Sequence, residues 1–121
     1  MKILIVDDNP INLKFLFFTL RNDYEIEMAS DGSKALSLTK NTKYDLILMD
    51  LWMPLIDGAE TTRQIRSLDS NINKKTPIIF CTTSSDMADK NRCFKFGADD
   101  YLIKPVRVNL LKEKLKHYLG N

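Results

Sequence analysis

Short hydrophobic runs alternate with longer amphipathic segments along the whole of this 121-residue chain. Three runs, at residues 2–6, 46–49 and 78–81, are almost entirely hydrophobic, as strands buried on both faces of a parallel sheet are. Residues 24–29 alternate polar and apolar side chains, which is typical of a half-buried strand near a sheet edge. Residues 101–103 form a short fifth run, so the pattern predicts five strands.

Five amphipathic segments follow these strands and predict helices. Asn9 before Pro10 is a helix N-cap signal, and the first helix is expected to reach about Arg21. After a turn at Asp31-Gly32, a second helix ends near Asn41. The remaining helices are expected at about residues 59–68, 86–96 and 108–119, with Gly97 ending the fourth. The polar stretch at residues 69–76 is expected to be a mobile loop.

Strict alternation of five strands and five helices predicts an α/β fold, a doubly wound five-stranded parallel sheet with helices on both faces. The length suits a single domain over residues 1–121. Binding sites in open sheets of this kind form beyond the carboxyl ends of the strands. Residues that directly follow the predicted strands are therefore the candidates for function.

Composition excludes several classes of protein. The net charge of +2 is too small to indicate nucleic acid binding by bulk electrostatics. No hydrophobic run approaches the roughly 20 residues of a membrane span, and the strand-like start of the chain leads us to expect no signal peptide. Cys81 and Cys93 do not form a disulfide framework, and reduced thiols are expected instead. The sequence therefore predicts a cytoplasmic protein without membrane insertion.

Reactive polar residues stand at the ends of four predicted strands: Asp7 and Asp8, Asp50, Thr82, and Lys104. Three neighbouring carboxylates repel one another unless a cation compensates, and Mg²⁺ prefers oxygen ligands. An aspartate is also a competent nucleophile toward phosphorus. Lys104 would pair with oxygens of a phosphoryl group on Asp50, and the Thr82 hydroxyl would hydrogen-bond one of them.

Each residue taken alone has a simpler explanation. Asp7 and Asp8 could serve merely as caps of the first helix, and Lys104 could be a solvated surface lysine. Thr82 could be an ordinary β-branched strand residue, with Thr83 as a competitor for its role. The occurrence of all these residues at separate strand ends favours a shared site.

With these motifs in place, the chain resembles a response-regulator receiver domain over essentially its whole length. Several segments carry the resemblance together, in family-like order and spacing: Val6-Asp7-Asp8, Asp45 to Asp50, Met53-Pro54, Asp57-Gly58, Pro77 to Thr82, Gly97 to Tyr101, and Lys104-Pro105. The resemblance implies a flavodoxin-like (βα)5 receiver fold of the chemotaxis type. It also implies phosphorelay signal transduction by a domain that is not a turnover enzyme.

The resemblance assigns roles to individual residues. Asp50 would accept the phosphoryl group from a histidine kinase or a histidine phosphotransfer protein. Asp7, Asp8, Asp50 and the backbone carbonyl of Trp52 would bind Mg²⁺, with Mn²⁺ as an alternative. Thr82 and Tyr101 match the family's switch pair, in which the hydroxyl moves toward the phosphoryl group and the aromatic ring turns inward.

The first helix has two apolar faces, of which the core needs one. Ile11, Phe15 and Phe18 form one face, which the resemblance implies would dock a histidine-bearing helical bundle. The alternative is that the sheet and a neighbouring helix cover both faces. Asn9 and Asn12 resemble receivers of hybrid sensor kinases, so membership of a membrane-bound hybrid kinase stays open. A homodimer through the last strands and helices, and a stand-alone receiver, also stay open.

Three rival classes are less consistent with the sequence. A Mg²⁺-dependent phosphatase-like enzyme with an aspartate nucleophile would need substrate-binding loops, for which 121 residues leave little room. A flavodoxin-like binding module would need a phosphate-binding loop rich in Gly, Ser and Thr where residues 7–10 are Asp-Asp-Asn-Pro. A degenerate receiver used only for docking would not need the complete set of acidic, hydroxyl and lysine residues.

Overall fold

The computed structural model describes residues 1–120, and Asn121, the last residue of the expected domain, lies outside the described residues. Strands and helices alternate strictly along these residues. The strands are β1 Lys2–Val6, β2 Glu25–Ala29, β3 Leu46–Met49, β4 Ile78–Thr82 and β5 Asp100–Ile103. The helices are α1 Pro10–Leu20, α2 Gly32–Asn41, α3 Gly58–Ser67, α4 Met87–Lys95 and α5 Val108–Leu119.

All strand pairs are parallel, and the sheet order is β2-β1-β3-β4-β5. The predicted five-stranded parallel sheet is therefore confirmed, with β2 at an edge as its alternation indicated. The chain moves outward from β1 to β2 and then returns to β3, so the strand order reverses between β1 and β3. Such a switch point forms a crevice at the carboxyl ends of the strands.

The register of the strands places the predicted site residues at the same height along the carboxyl edge of the sheet. Val6 lies opposite Met49, and Met49 lies opposite Phe80. Asp7 and Asp50 therefore leave the sheet side by side. The Asp50 amide donates to the Val6 carbonyl over 2.9 Å, which continues the strand pairing to the start of the site.

The sheet has a hydrophobic core on each face because successive strand residues point to opposite sides. Ile3, Ile5 and Leu48 pack with side chains of α1 and α5. Leu4, Val6 and Met49, on the other face, pack with side chains of α2, α3 and α4. Burial on both faces explains why β1, β3 and β4 lack polar alternation.

Gly32 is the first residue of α2 rather than part of a preceding turn, so the predicted turn at Asp31-Gly32 is wrong. The Asp31 side chain accepts a hydrogen bond from the Lys34 amide and is the N-cap. A Cβ atom on Gly32 would lie 2.3 Å from Oγ1 of Thr61. The glycine is therefore needed because the start of α2 packs directly against α3.

Residues 69–76 are also different from the expected mobile loop, because Asn71, Asn73 and Thr76 are buried. The Asn73 side-chain amide donates to the carbonyls of Thr39 and Thr42, over 2.6 and 2.7 Å. Buried backbone groups at the end of α2 need such partners. Sequence polarity alone does not distinguish a solvated loop from a segment that satisfies buried groups.

Both cysteine side chains lie in the interior of the protein. Cys81 and Cys93 are buried free cysteines, and burial raises the pKa of Cys81 to about 12 and that of Cys93 to about 11. Both thiols therefore stay protonated near neutral pH. Among the helices of residues 1–120, none combines the length and apolar character required to cross a membrane.

Candidate functional site

The three aspartates that follow β1 and β3 meet at the crevice. One carboxylate oxygen from each of Asp7, Asp8 and Asp50 lies within 4.8 Å of the others. Asp7 and Asp50 are buried, whereas Asp8 is exposed at the mouth of the site. The N-cap of α1 is Asn9, whose side chain accepts from the Ile11 amide, so capping alone does not account for the two aspartates.

Lys104 joins this cluster from the end of β5. Its amide donates to the Thr82 carbonyl over 2.8 Å, which fixes the backbone after β5 to the end of β4. Its ammonium nitrogen lies 2.7 Å from Oδ2 of Asp7 and 3.7 Å from Oδ1 of Asp50. The predicted Lys104 position is therefore inside the site, and the solvated-lysine alternative is wrong.

The cluster carries more negative than positive charge. Burial, followed by repulsion from Asp7, raises the pKa of Asp50 to about 6, although the ammonium of Lys104 acts in the opposite direction. A divalent cation would remove this repulsion, and carboxylate oxygens are the ligands that Mg²⁺ prefers. The residues present therefore fit a Mg²⁺ ion.

Residues 51–57, which we name the acceptor loop, connect Asp50 to α3. The Gly58 amide donates to the Leu51 carbonyl over 2.7 Å, and a Cβ on Gly58 would lie only 2.0 Å from the Asp50 carbonyl oxygen. Glycine is therefore required where α3 begins against the backbone of Asp50. Trp52 lies in this loop with a half-exposed indole, and the metal-ligand role of its carbonyl stays a prediction.

Thr82 ends β4 and is fully buried, whereas its competitor Thr83 is exposed. Thr82 lies opposite Ile103 in β5, so its backbone is adjacent to Lys104. Its hydroxyl oxygen accepts from the Ser84 amide at 3.4 Å. The structure thus brings Thr82 to the same sheet edge as the acidic cluster, and Thr83 does not share its buried position.

Tyr101 points inward from β5. Its ring lies between Phe80 and Phe94, with centroid distances of 6.4 and 6.5 Å. Its hydroxyl donates to the Ser84 carbonyl over 2.8 Å. Ser84 therefore contacts both members of the predicted switch pair, Thr82 and Tyr101, a link that nothing in the sequence pattern indicated.

The apolar side chains predicted for partner docking are exposed on α1. Ile11, Phe15 and Phe18 are 75%, 49% and 57% exposed, while Leu16 and Leu20 of the opposite face are buried. The alternative that both faces of α1 are covered is therefore wrong within residues 1–120. A small cavity of about 150 Å³ lies beside this face and extends to Pro105, which follows Lys104. It is lined by Asn12, Phe15, Leu16, Pro105 and Val106.

Comparison with known sequences identifies one family. The family model described as the response regulator receiver domain matches residues 3–116. The response regulator ArlR of Staphylococcus saprophyticus is 39% identical over 119 residues, which cover 98% of this chain and 52% of that protein. Hybrid signal transduction histidine kinase I of Dictyostelium discoideum is 37% identical, over 93% of this chain and 7% of the kinase. The chain thus spans about half or less of these relatives.

Solved structures give the same result. A CheY-like receiver domain protein from Methanospirillum hungatei superposes with a TM-score of 0.90 at 29% identity, covering 98% of this chain and 93% of its own. The receiver domain of a Pseudomonas aeruginosa sensor histidine kinase superposes with a TM-score of 0.89 at 34% identity, covering 99% and 98%. That receiver has a magnesium ion coordinated in its active site cleft.

Proposed function

This chain belongs to the response regulator receiver domain family, a signalling family of two-component phosphorelays, and we propose that Asp50 is its phosphoryl acceptor. The observation that carries this proposal is the convergence of Asp7, Asp8 and Asp50, with the ammonium of Lys104 beside Asp7 and Asp50. Asp50 is chosen because it is a buried carboxylate that directly precedes the acceptor loop.

In the proposed reaction, a carboxylate oxygen of Asp50 attacks the phosphorus of a phosphohistidine. The new P–O bond forms as the P–N bond breaks, and the leaving imidazole takes up a proton. Lys104 pairs with oxygens of the transferring group, and the hydroxyl of Thr82 hydrogen-bonds one of them. Asp7, Asp8, Asp50 and the Trp52 carbonyl would hold Mg²⁺, or Mn²⁺ as an alternative, which supplies charge neutralisation when bound.

Phosphorylation adds roughly −1.5 to −2 of charge at Asp50. We propose that this charge attracts the ammonium of Lys104 away from Asp7 and the Thr82 hydroxyl away from the Ser84 amide. The inward position of Tyr101, bonded to the Ser84 carbonyl, would then be stabilised by the new arrangement of the loop after β4. The modification thus shifts an equilibrium between two positions of one fold.

We propose a histidine kinase or a histidine phosphotransfer protein as the phosphoryl donor, docking on Ile11, Phe15 and Phe18. The exposure of these side chains and the histidine kinases among the relatives support this choice. A cytoplasmic location, one domain over residues 1–121, no direct nucleic acid contact and a homodimer through the last strands and helices stay predictions.

The proposal is tested by incubating the protein with acetyl phosphate and Mg²⁺ and measuring its intact mass. Wild type is expected to gain one phosphoryl group, and Asp50→Ala is expected to gain none. Asp45→Ala is the matched control, because Asp45 is an exposed aspartate that accepts a hydrogen bond from the Lys2 amide. Absence of the adduct in wild type, or its survival in Asp50→Ala, would overturn the proposal.

No observation on residues 1–120 and none of the comparisons favours the phosphatase-like alternative. We propose that the chain assists its own phosphorylation and dephosphorylation without turning over a substrate. Incubation with a small phosphate ester and Mg²⁺ is expected to release no more phosphate with wild type than with Asp50→Ala. Sustained release that depends on Asp50 would favour the enzyme instead.

A further inference from the structure

Asp57, at the end of the acceptor loop, is paired with an arginine from a different helix. Arg92 of α4 places NH1 2.9 Å from Oδ2 of Asp57 and NH2 3.3 Å from Oδ1. Both carboxylate oxygens are therefore engaged by one planar guanidinium. Such two-point pairs fix orientation as well as distance, which a lysine could not do.

Asp57 is also the point at which the acceptor loop is fixed to α3. Its Oδ1 accepts from the Glu60 amide over 2.8 Å and caps the helix. The next residue, Gly58, packs against the carbonyl of Asp50 and bonds that of Leu51. Arg92 thus contacts the residue that holds the far end of the loop on which Trp52 lies.

The first turn of α4 is connected to the other side of the site. The Ser84 hydroxyl donates to the Asp89 carboxylate over 2.7 Å, and the Ser84 amide donates to the Thr82 hydroxyl oxygen. Helix α4 is therefore bonded both to the acceptor loop and to the segment that follows β4. A displacement of either segment changes the contacts of the same helix.

We propose that Arg92 is a positioning residue, which acts through Asp57 to hold the acceptor loop in its cation-binding conformation and so couples α4 to the site. This inference rests on the proposed function, because it takes the Trp52 carbonyl as a metal ligand. Coupling free energy is reciprocal, so a cation at the site also favours the observed position of α4.

The experiment measures how Mg²⁺ raises the melting temperature of wild type and of Arg92→Gln, each relative to its own metal-free value. Because a ligand stabilises the folded state by mass action, the titration gives an apparent Mg²⁺ affinity without any phosphorylation. Arg92→Gln is expected to bind Mg²⁺ about threefold more weakly, in the range of a partly exposed ion pair. Hydrogen exchange of the α4 amides is expected to slow on Mg²⁺ addition in wild type and less so in the variant.

Three further variants separate positioning from a general structural role. Asp57→Asn keeps an N-cap side chain but removes the charge, so Arg92→Gln is expected to have no additional effect in that background. Arg92→Lys is expected to recover part of the affinity. Arg63→Gln is the matched control, because Arg63 pairs with Glu60 on the surface of α3 and, within residues 1–120, has no hydrogen bond or ion pair to α4 or the loop.

The outcomes distinguish this inference from the proposed function. A wild type whose melting temperature ignores Mg²⁺ overturns both the metal site and the inference. If wild type responds to Mg²⁺, and both Arg92→Gln and Asp57→Asn respond as strongly as wild type, the inference alone is overturned. An equal loss of affinity in Arg63→Gln also overturns it, because the effect would then follow net charge. If Arg92→Gln does not fold, the apparent Mg²⁺ affinities of Arg92→Lys and Asp57→Asn are compared with that of wild type instead, and equal affinities overturn the inference.

Discussion

The ammonium of Lys104 is hydrogen-bonded to Asp7 at 2.7 Å, and it lies 3.7 Å from the proposed acceptor Asp50. One cation is thus shared by two buried carboxylates and compensates Asp7 more directly. Burial, followed by repulsion from Asp7, raises the pKa of Asp50 to about 6, and Lys104 offsets this increase only in part. The arrangement also means that the Lys104 ammonium needs to move only a short distance to pair with a phosphoryl group on Asp50.

The raised pKa of Asp50 predicts a pH dependence of folding in the absence of metal. The folded protein holds this proton more tightly than the unfolded chain, in which the pKa is near the ordinary 3.8. The stabilisation is therefore complete below about pH 4 and is lost as the pH rises through about 6. Relative to Asp50→Asn, wild type is expected to lose up to about 3 kcal/mol of unfolding free energy over that range.

Urea unfolding of both proteins in the presence of a chelator, at a series of pH values, measures this difference in unfolding free energy. The contributions of titratable groups that both proteins share cancel in the difference. Addition of Mg²⁺ is expected to shrink it, because a cation favours the ionised carboxylate. A difference between the two proteins that does not change with pH would contradict the prediction.

Trp52 is expected to slow loss of the phosphoryl group, because its large side chain lies two residues from Asp50 and hinders the approach of water. Trp52→Ala is expected to lose the phosphoryl group roughly threefold faster, equivalent to under 1 kcal/mol of barrier. The decay of the phosphorylated mass after removal of acetyl phosphate measures the rate. Leu55→Ala is the control, since Leu55 is a nearly fully exposed apolar residue of the same loop; equal or slower decay in Trp52→Ala rejects the idea.

A charge on the exposed face of α1 is expected to impair transfer from a protein donor more than it impairs folding. Phe18→Asp should change the unfolding free energy by less than about 1 kcal/mol, because Phe18 is 57% exposed. Transfer from a phosphohistidine protein that phosphorylates wild type should fall by about tenfold or more. Phosphorylation by acetyl phosphate should be unchanged.

The control for this surface is Ile72→Asp, which removes a similarly exposed apolar side chain between α3 and β4. It should transfer normally from the protein donor. Normal transfer to Phe18→Asp, with unchanged stability, would reject α1 as the docking surface.

Asn73 is expected to be important for stability, although it lies in a polar loop. Its side chain accepts from the Tyr44 amide at 2.8 Å in addition to the two bonds it donates to the end of α2. Asn73→Ala removes the side-chain partner of two buried backbone groups and one partly buried group, and should cost about 2–4 kcal/mol. Urea unfolding measures the loss, and Asn41→Ala, which removes one exposed hydrogen bond to Ser37, should cost far less.

Phosphorylation of Asn73→Ala by acetyl phosphate is expected to be normal at a temperature at which the variant is folded. The network of Asn73 lies at the amino end of β3, whereas Asp50 follows its carboxyl end. A loss of phosphorylation without a loss of stability would show that the network acts on the site instead.

Local chemistry in the sequence determined the order and type of the elements. The run at residues 46–49 has no polar alternation because both faces of β3 are buried, and Asn9 with Pro10 marks the start of α1 by hydrogen bonding within a few residues. The sheet then had few topologies available, and its strand ends identified Asp7, Asp50 and Lys104. These features depend on period, capping and connection rules, which operate over short stretches of chain.

Tertiary structure alone decided which side chains meet across those elements. Glycine is required at position 32 because Thr61 leaves no space for a side chain. Asn73 is buried where it bonds backbone groups at the end of α2 and just before β3. The pairing of Arg92 with Asp57 joins residues 35 positions apart. Such contacts depend on packing distance between distant segments, for which a single sequence holds no local signal.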